Sequence, residues 1–576
     1  MDTVETVLLM LMLGAVTGVA ARYLRAIPLP LIQIALGALL SWPRQGLHVA
    51  FDPELFLLLF IPPLLFSDGW RIPKREFFAL YKPILRLALA LVLATVLGLG
   101  WLIHWMIPQM PLPVAFALAA VVSPTDAVAV SAITRNLGMP ARTMHILEGE
   151  SMLNDASGLV ALKFAVAATV TGAFSWSGVA REFVWVAVGG LAVGVGLGWG
   201  FAWLRELITR RLGDLAATQM VMLLLLLPFA AYMLGERVGV SGILAAVAAG
   251  FATNFADLRR GEFIGERMQS AGAWAMLESS FNGAIFLLLG LQLPSIVTGM
   301  EGSGYGGWQL AGYVLALTAA LLALRWGWLV LAMQGRLLKA RLAGDAGARR
   351  TWLTELAATL AGIRGAVTLA GALSVPLMLD ADTPFPARDL LVFLATGTII
   401  VTLVLGSIGL PLVLRRLPPA SETREVREER AARLAACRAA VTDLALDPDR
   451  PEAGDADWMA QYQETVGRLT QDYRRRMSLL DDGSADAGSP EAQAETPLAQ
   501  QQRRQRYLLE LEMRLKCLHV ERDALYAERF AERINDESLR TLVAELDLSE
   551  ISLRRRVKVA QQTAAAGVAR TAGDDG

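Results

Sequence analysis

Residues 149–164 read GESMLNDASGLVALKF, and Glu150, the Asn154–Asp155 pair and Lys163 stand in a stretch that is otherwise apolar or small and is flanked by more apolar sequence. In a helix, Ser151 and Asp155 share one face, one turn (~5.4 Å) apart. A hydroxyl stacked over a carboxylate makes half a coordination shell for a small hard cation, which prefers oxygen ligands. The plainer reading makes Asp155 a buried acid paired with a base. A charge at mid-bilayer costs at least ~2.5–3.5 kcal/mol on insertion scales, so acids retained there mark ion or proton pathways by default.

Four further stretches carry groups of the same kind. Residues 121–133 read VVSPTDAVAVSAI. Pro124 removes a backbone donor and disfavours helix at Ser123, so carbonyls near 120–123 lose their partners. Such carbonyls are tolerated at membrane depth where they face a cavity or an ion, and Thr125 and Asp126 follow at once. A proline kink with local Ser/Thr back-bonding is the bland alternative. Residues 362–376 read GIRGAVTLAGALSVP. Arg364 does not deprotonate, so at depth it needs an acid, and Glu150 is the candidate; snorkelling from the cytoplasmic helix end fits the spacing as well. Gly362, Gly365 and Gly371 permit close backbone approach. In IPPLLFSDGW (61–70), Asp68 is either intramembrane or interfacial. In ESSFNGAIFLLLGLQLP (278–294), Glu278 and Asn282 are four apart and suit cross-helix bonding, Lys163 being one possible partner.

The elements that must position these groups are membrane helices. The chain is 54% hydrophobic with a mean hydropathy of +0.45. Of its 107 Lys, Arg, Asp and Glu residues, 54 fall in 421–576, which separates a membrane part from a polar tail. Apolar runs long enough to cross a bilayer are expected near 4–24, 28–45, 53–69, 80–107, 112–134, 146–172, 178–204, 217–234, 238–256, 273–298, 309–334, 352–380 and 387–414. Basic residues test that count. Arg22/Arg25, Arg71/Lys74/Arg75, Arg135/Arg142, Arg205/Arg210/Arg211, Arg259/Arg260/Arg267 and Arg336/Lys339/Arg341 follow the odd-numbered spans, whereas the even-numbered ones are followed by single arginines. Cytoplasmic loops are enriched in Lys and Arg, so the alternation puts the N-terminus outside and the tail in the cytoplasm. The acidic start MDTVETVLLM runs into an apolar stretch too long for a cleaved signal peptide.

The expected division is a transmembrane exchange domain over 1–415 and a mostly helical cytoplasmic tail over 416–576. Segments 421–445 and 501–562 have helical spacing with mixed charge, and 481–497 (DDGSADAGSPEAQAETP) reads as a linker. Net charge is −1, which gives nothing for nucleic acid, and Cys437 and Cys517 form neither a disulfide framework nor a metal spacing.

Taken together, SPTDAVAV (123–130), GESMLND (149–155), FLLLGLQL (286–293) and GIRGAVTLA (362–370) resemble the NhaP/NHE-type sodium:proton antiporters of the monovalent cation:proton antiporter family. The resemblance covers about 1–415. LFSDGWRIPKREF and NDASGLVALKF are similar to a bacterial subgroup of that family. It implies an all-α polytopic fold of about 13 spans with inverted repeats, a dimerisation domain, and a core domain in which two broken helices cross, here spans 5 and 12. It implies that Asp155 binds Na⁺ or a proton. Ser151, Asp126 and Thr125, the last through its carbonyl, complete the cation site. It counts Asn154 with the cation/proton-binding residues and makes it the mark of electroneutral exchange, and it makes Glu150 with Arg364 the family's buried ion pair. Two departures stand out. The family often has an acid where this chain has Ser67, with Asp68 displaced by one, and Lys163 is an additional base near Asp155.

The expected function is secondary active exchange of Na⁺, K⁺ or Li⁺ for protons by alternating access. It would serve pH and cation homeostasis from the inner membrane, as a homodimer, with no cofactor and no enzymatic step. A passive cation channel needs a continuous polar path, whereas the polar groups here collect at one depth. GVSG (239–242) has the form of an intramembrane serine-protease motif, but the histidine after Ser241 is His519, in the tail. NDASGLVALK lacks the further aspartates of membrane prenyltransferases.

Overall fold

Each apolar run expected to cross the bilayer contains a helix. In chain order these are α1 (Thr3–Ala20), α2 (Leu29–Ser41), α3 (Pro53–Arg71), α4 (Lys74–Leu85), a π-turn (Arg86–Leu91) leading directly into α5 (Val92–Met106), α6 (Leu112–Val121), α7 (Ala127–Thr134), α8 (Ala141–Thr171), α9 (Trp176–Leu212), α10 (Ala217–Val238), α11 (Gly242–Ala256), α12 (Ile264–Gly299), α13 (Gly307–Leu342), α14 (Trp352–Leu360), α15 (Ala366–Leu373) and α16 (Arg388–Leu414). This computed structural model describes residues 3–417 apart from 22, 24–26, 43–52, 73, 135–136, 138, 172–175, 213–216, 257–263, 301–303, 343–351 and 380–382, together with 456–480, 536–571 and runs of one to three residues between 434 and 526. Among the described residues, seven helices are long and apolar enough to cross a membrane by length and composition, and shorter apolar helices join them at α1, α2, α6 and α11. The chain is an all-α polytopic protein.

Helix ends differ from the apolar runs where polar turns extend a helix beyond its apolar part. The fourth run was expected from residue 80, but helix begins at Lys74 with the amphipathic KREFFALYKPIL. Likewise α8 begins at Ala141 and α13 continues to Leu342. Hydropathy detects the apolar part of such helices, not their charged extensions.

The helices of the unit Met1–Ala420 pack in two groups. One is α1–α3 with α9–α12; the other is α4–α8 with α13–α16. The second group repeats a pattern of long helix, broken helix, long helix: α4–α5, α6/α7 and α8, then α13, α14/α15 and α16.

The first group is closed by glycine. Lipid tails are as apolar as leucine, so membrane helices associate by close packing, and small residues permit it. A Cβ on Gly190, Gly194 or Gly198 of α9 would fall 2.6, 2.2 or 2.7 Å from the carbonyl oxygen of Ser241, just before α11, or of Ala245 or Ala249 on it. Gly250 of α11 lies against the Phe66 carbonyl of α3, and Gly37 of α2 against the Leu287 carbonyl of α12, each with 2.2 Å to a would-be Cβ. The stacked Phe66 and Trp274 rings, 5.2 Å apart, join α3 to α12.

In the unit Ser421–Gly576, helices span Ala456–Leu480 and Asp536–Thr571. Arg522 Nη2 donates to Glu550 Oε2 at 2.5 Å and to Asp547 Oδ1 at 2.7 Å, and Arg554 also pairs with Glu550. Hydrogen bonding to Arg522 holds the Glu550 carboxyl below the usual glutamate range. The linker expected over 481–497 lies outside the described residues.

The glycine seams give a direct test. Gly250→Ala puts a methyl 2.2 Å from a backbone oxygen, and overpacking of this kind costs typically ~1–3 kcal/mol. A lowered thermal midpoint in detergent is expected. Gly272→Ala on α12, whose added Cβ meets nothing within 4 Å, should leave the midpoint unchanged or raise it slightly.

Candidate ion-binding site

The chain unwinds twice in the second helix group, at 122–126 between α6 and α7 and at 361–365 between α14 and α15. Pro124 accounts for the first break, as expected from the sequence. The second contains no proline. Gly362 packs on the Arg325 stem, and a Cβ on Gly365 would lie 1.8 Å from Asp126 Oδ2. Glycine at 365 is thus required by space rather than by its dihedral angles.

The two breaks cross and bond to each other. Asp126 N donates to Ile363 O at 2.8 Å. The Arg364 guanidinium donates to the carbonyls of Ser123 and, at 2.8 Å, Pro124, and its backbone N–H donates to Thr402 Oγ1 on α16 at 3.1 Å. A helix C-terminus carries partial negative charge and an N-terminus partial positive charge. Arg364 therefore lies on the carbonyls beyond the end of α6. Asp126 lies at the start of α7, where its Oδ1 accepts from Ala129 N at 2.9 Å as an N-cap. Ser151 Oγ accepts from Ala127 N at 3.3 Å. The start of α7 is thus held from its own chain and from α8.

A cavity of about 30 Å³ sits at this crossing, room for on the order of two water-sized bodies at ~10–15 Å³ each. Its wall includes Asp155 and Ser151 from α8, Thr125 and Asp126 from the first break, Gly365 and Thr368 from the second, Asp68 from α3, and Glu278 and Asn282 from α12. Asp155, 6% exposed, receives no hydrogen bond among the described residues. Thr368 Oγ1 is likewise buried without a hydrogen-bond partner among them. The Glu278 side chain is 17% exposed and ion-paired with Arg71, at the C-terminal end of α3 and 41% exposed. Val128 on the same wall is 37% exposed. The cavity therefore opens toward the Arg71 end of α3. Asp68 is within electrostatic reach of Glu148, about two turns before Asp155 on α8, so this is also the N-terminal side of α8.

Of the residues singled out from sequence, Asp155, Ser151, Thr125, Asp126, Asp68 and Glu278 share this one wall. Asn154 does not line it. Its Nδ2 donates to Thr125 Oγ1 at 2.9 Å, tying α8 to the first break from behind. Lys163 is away from it altogether: its Nζ lies 2.6 Å from Glu236 Oε1 at the end of α10. It neither neutralises Asp155 nor meets Glu278.

The expected pairing of Glu150 with Arg364 is corrected. Glu150 is held by Arg325 of α13, through two parallel contacts, with Nη2–Oε2 at 2.9 Å. Arg325 Nε adds a bond to Ala358 O at 3.0 Å. Glu150 and Arg325 are 1% and 2% exposed. Arg364 instead donates from Nη1 to carbonyls of the crossing break, its Nε is buried without a hydrogen-bond partner among the described residues, and Glu150 and Asp155 act on it only through space. Arg325 escaped the sequence reading because LLALRWGW was taken as one apolar span, although an arginine inside such a span itself signals a buried acid partner. Thr368 was missed because one hydroxyl in an apolar helix is usually bonded to its own turn.

Residues 7–416 match the family model described as sodium/hydrogen exchanger, transmembrane. The chain is 44% identical over 567 residues to the Escherichia coli (strain K12) protein named "Uncharacterized Na(+)/H(+) exchanger YjcE", covering 96% of this chain and 99% of that one. It is 45% identical over 418 residues to the "Sodium, potassium, lithium and rubidium/H(+) antiporter" of Bacillus pumilus (strain SAFR-032), covering 72% of this chain and 61% of that longer protein. The solved structure of the sodium proton antiporter MjNhaP1 from Methanocaldococcus jannaschii superposes with a TM-score of 0.53 at 20% identity, over 72% of this chain and 98% of that one, which is a likeness of fold.

The corrected ion pair carries a prediction. Removing one partner of a buried pair typically costs ~3–5 kcal/mol, because it strands a charge. Glu150→Gln and Arg325→Met should each lower the thermal midpoint, and the double variant should recover most of the loss. A cycle of Glu150→Gln with Arg364→Met should show a smaller coupling than the Glu150/Arg325 cycle, because Arg364 meets Glu150 only through space and makes no hydrogen bond to it.

The crossed breaks, the carboxylates on one cavity wall, and a family match across nearly the whole membrane unit agree: this chain belongs to the transmembrane sodium/hydrogen exchanger family and is a cation:proton antiporter.

Proposed function

We propose that a monovalent cation and a proton compete for the Asp155 carboxylate, and that the helix group carrying it moves between two sides of the membrane only when that charge is neutralised. The observation that supports this most is Asp155 itself. It is a buried carboxylate that receives no hydrogen bond among the described residues, on the wall of a cavity at the crossing of two broken helices. Ser151 Oγ and the Thr125 backbone carbonyl, from residues on the same wall, supply oxygen donors for the cation. Asp126 contributes charge on the same wall while capping α7. Among the described residues, no three His, Cys, Asp or Glu side chains converge tightly enough to hold a metal ion. That suits a carrier, whose ligand must leave as readily as it enters.

Na⁺ is the first candidate for the cation. K⁺ and Li⁺ stand beside it, because the Bacillus pumilus relative is named for sodium, potassium, lithium and rubidium. The exchange is one-for-one. Asn154, neutral, occupies the position next to Asp155, and Lys163 is engaged elsewhere, so one carboxylate carries one charge of either kind. The protein sits in the inner membrane with its N-terminus outside and its tail in the cytoplasm, functions as a homodimer, and serves pH and cation homeostasis. In that orientation the cavity opens to the cytoplasm.

Two outcomes test the reading. Asp155→Asn should abolish collapse of a preset pH gradient in inverted vesicles on adding Na⁺, Li⁺ or K⁺ separately, with protein yield and thermal midpoint kept. Wild-type rates in that variant would overturn the assignment. Wild-type exchange in proteoliposomes should be insensitive to a clamped membrane potential, whereas a potential-dependent rate would exclude one-for-one exchange.

A further inference from the structure

Lys163 is the base that the exchange site does not use. It lies on α8, eight residues past Asp155, and therefore about 12 Å further along the helix axis. The cavity mouth is toward the opposite, N-terminal end of α8, so Lys163 is on the side to which the cavity is closed. Its partner Glu236 is on α10, in the other helix group. Glu236 Oε1 also accepts from Gly242 N, at the first residue of α11, at 3.2 Å. The carboxylate is thus fixed to two helices of the glycine-sealed group, while the ammonium rides on the helix that carries Asp155. The two side chains are 46% and 38% exposed.

These positions have a consequence for transport. An ion pair within one helix group is kept whatever the groups do relative to each other. An ion pair between them, on the closed side, is made in one orientation of the carrier and broken when α8 is displaced along its axis. Partial exposure keeps such a pair weak, in the range of ~0–1 kcal/mol, so it biases the equilibrium without freezing it.

We propose that Lys163 and Glu236 form a latch between the two helix groups that favours the orientation in which the Asp155 cavity faces the cytoplasm. They are positioning residues and touch neither cation nor proton. The inference rests on the alternating-access reading above. A ligand's apparent affinity on one side scales with the fraction of carriers facing that side. Breaking the latch should therefore raise the apparent KM for Na⁺ at the cytoplasmic face and lower it at the external face, by factors that multiply to about five-fold at most.

The experiment measures Na⁺-dependent proton flux in inside-out and in right-side-out vesicles for Lys163→Gln, Glu236→Gln, Lys163→Arg and the charge-swapped pair Lys163→Glu with Glu236→Lys. Opposite KM shifts on the two faces are expected in both glutamine variants. Lys163→Arg should retain wild-type values, and the swapped pair should return toward them. Equal KM changes on both faces would mark a general packing defect and overturn the latch, as would unchanged values in both glutamine variants with full exchange. A wild-type flux without proton counterflow would instead overturn the antiport reading and leave the ion pair as structure only. Should either glutamine variant fail to accumulate, the swapped pair alone decides: asymmetric KM values near wild type support the latch, and symmetric ones overturn it.

Discussion

The crossing of the two unwound stretches is the constraint on which the membrane unit depends. Breaking a membrane helix exposes carbonyls and N–H groups where no water is available to satisfy them. Here each break answers the other. The Ile363 carbonyl takes the Asp126 N–H, and the Arg364 guanidinium covers the carbonyls of Ser123 and Pro124. Neither break would be tolerable alone. Bringing backbone that close leaves no space for a side chain at 365, and it places two short helix starts beside one cavity. The Asp155 helix then needs only to run past the crossing to bring its carboxylate there.

The buried carboxylates of α8 divide between one that is paired and one that faces the cavity. Glu150 and Asp155 are five residues apart on α8 and face different surroundings. Glu150 is clamped by a guanidinium in a bidentate, fully buried arrangement, in which both charges are satisfied and neither is available. Asp155 has a hydroxyl one turn away and a cavity in front of it. Arg325 and Arg364, although close, also act separately: one secures α8 to α13, the other secures the first break to the second. A substitution at either arginine thus damages a different joint.

Much of the scaffold was legible because hydropathy and loop charge are long-range, redundant signals. The apolar runs located the helices, and Pro124 located one break. The second break was less visible, since Gly362 and Gly365 act through space that another segment needs. The site residues were legible as types in unusual places: acids, a proline and a threonine in apolar spans. Partnership was not legible. Which arginine meets Glu150, and that Lys163 reaches Glu236, depends on the rotation of α8 against helices far away in sequence, about which local pattern carries no information. Asn154 illustrates the same limit. Its position beside Asp155 suggested a ligand, yet a shift of one residue turns a helix by about 100°, enough to put it behind the wall.

The π-turn at Arg86–Leu91 remains to be placed in this scheme. It inserts a wide turn between amphipathic α4 and apolar α5 without removing a backbone donor, and Ser157 Oγ donates to its Ala88 carbonyl at 2.8 Å. Ser157 is two residues past Asp155. The wide turn therefore indexes two long helices to each other near the level of Asp155, like a tooth in a notch. It resists sliding of α8 along α4–α5 and leaves rigid-body displacement of the whole helix group as the easier motion. A displacement of α8 would on this account carry α4 and α5 with it.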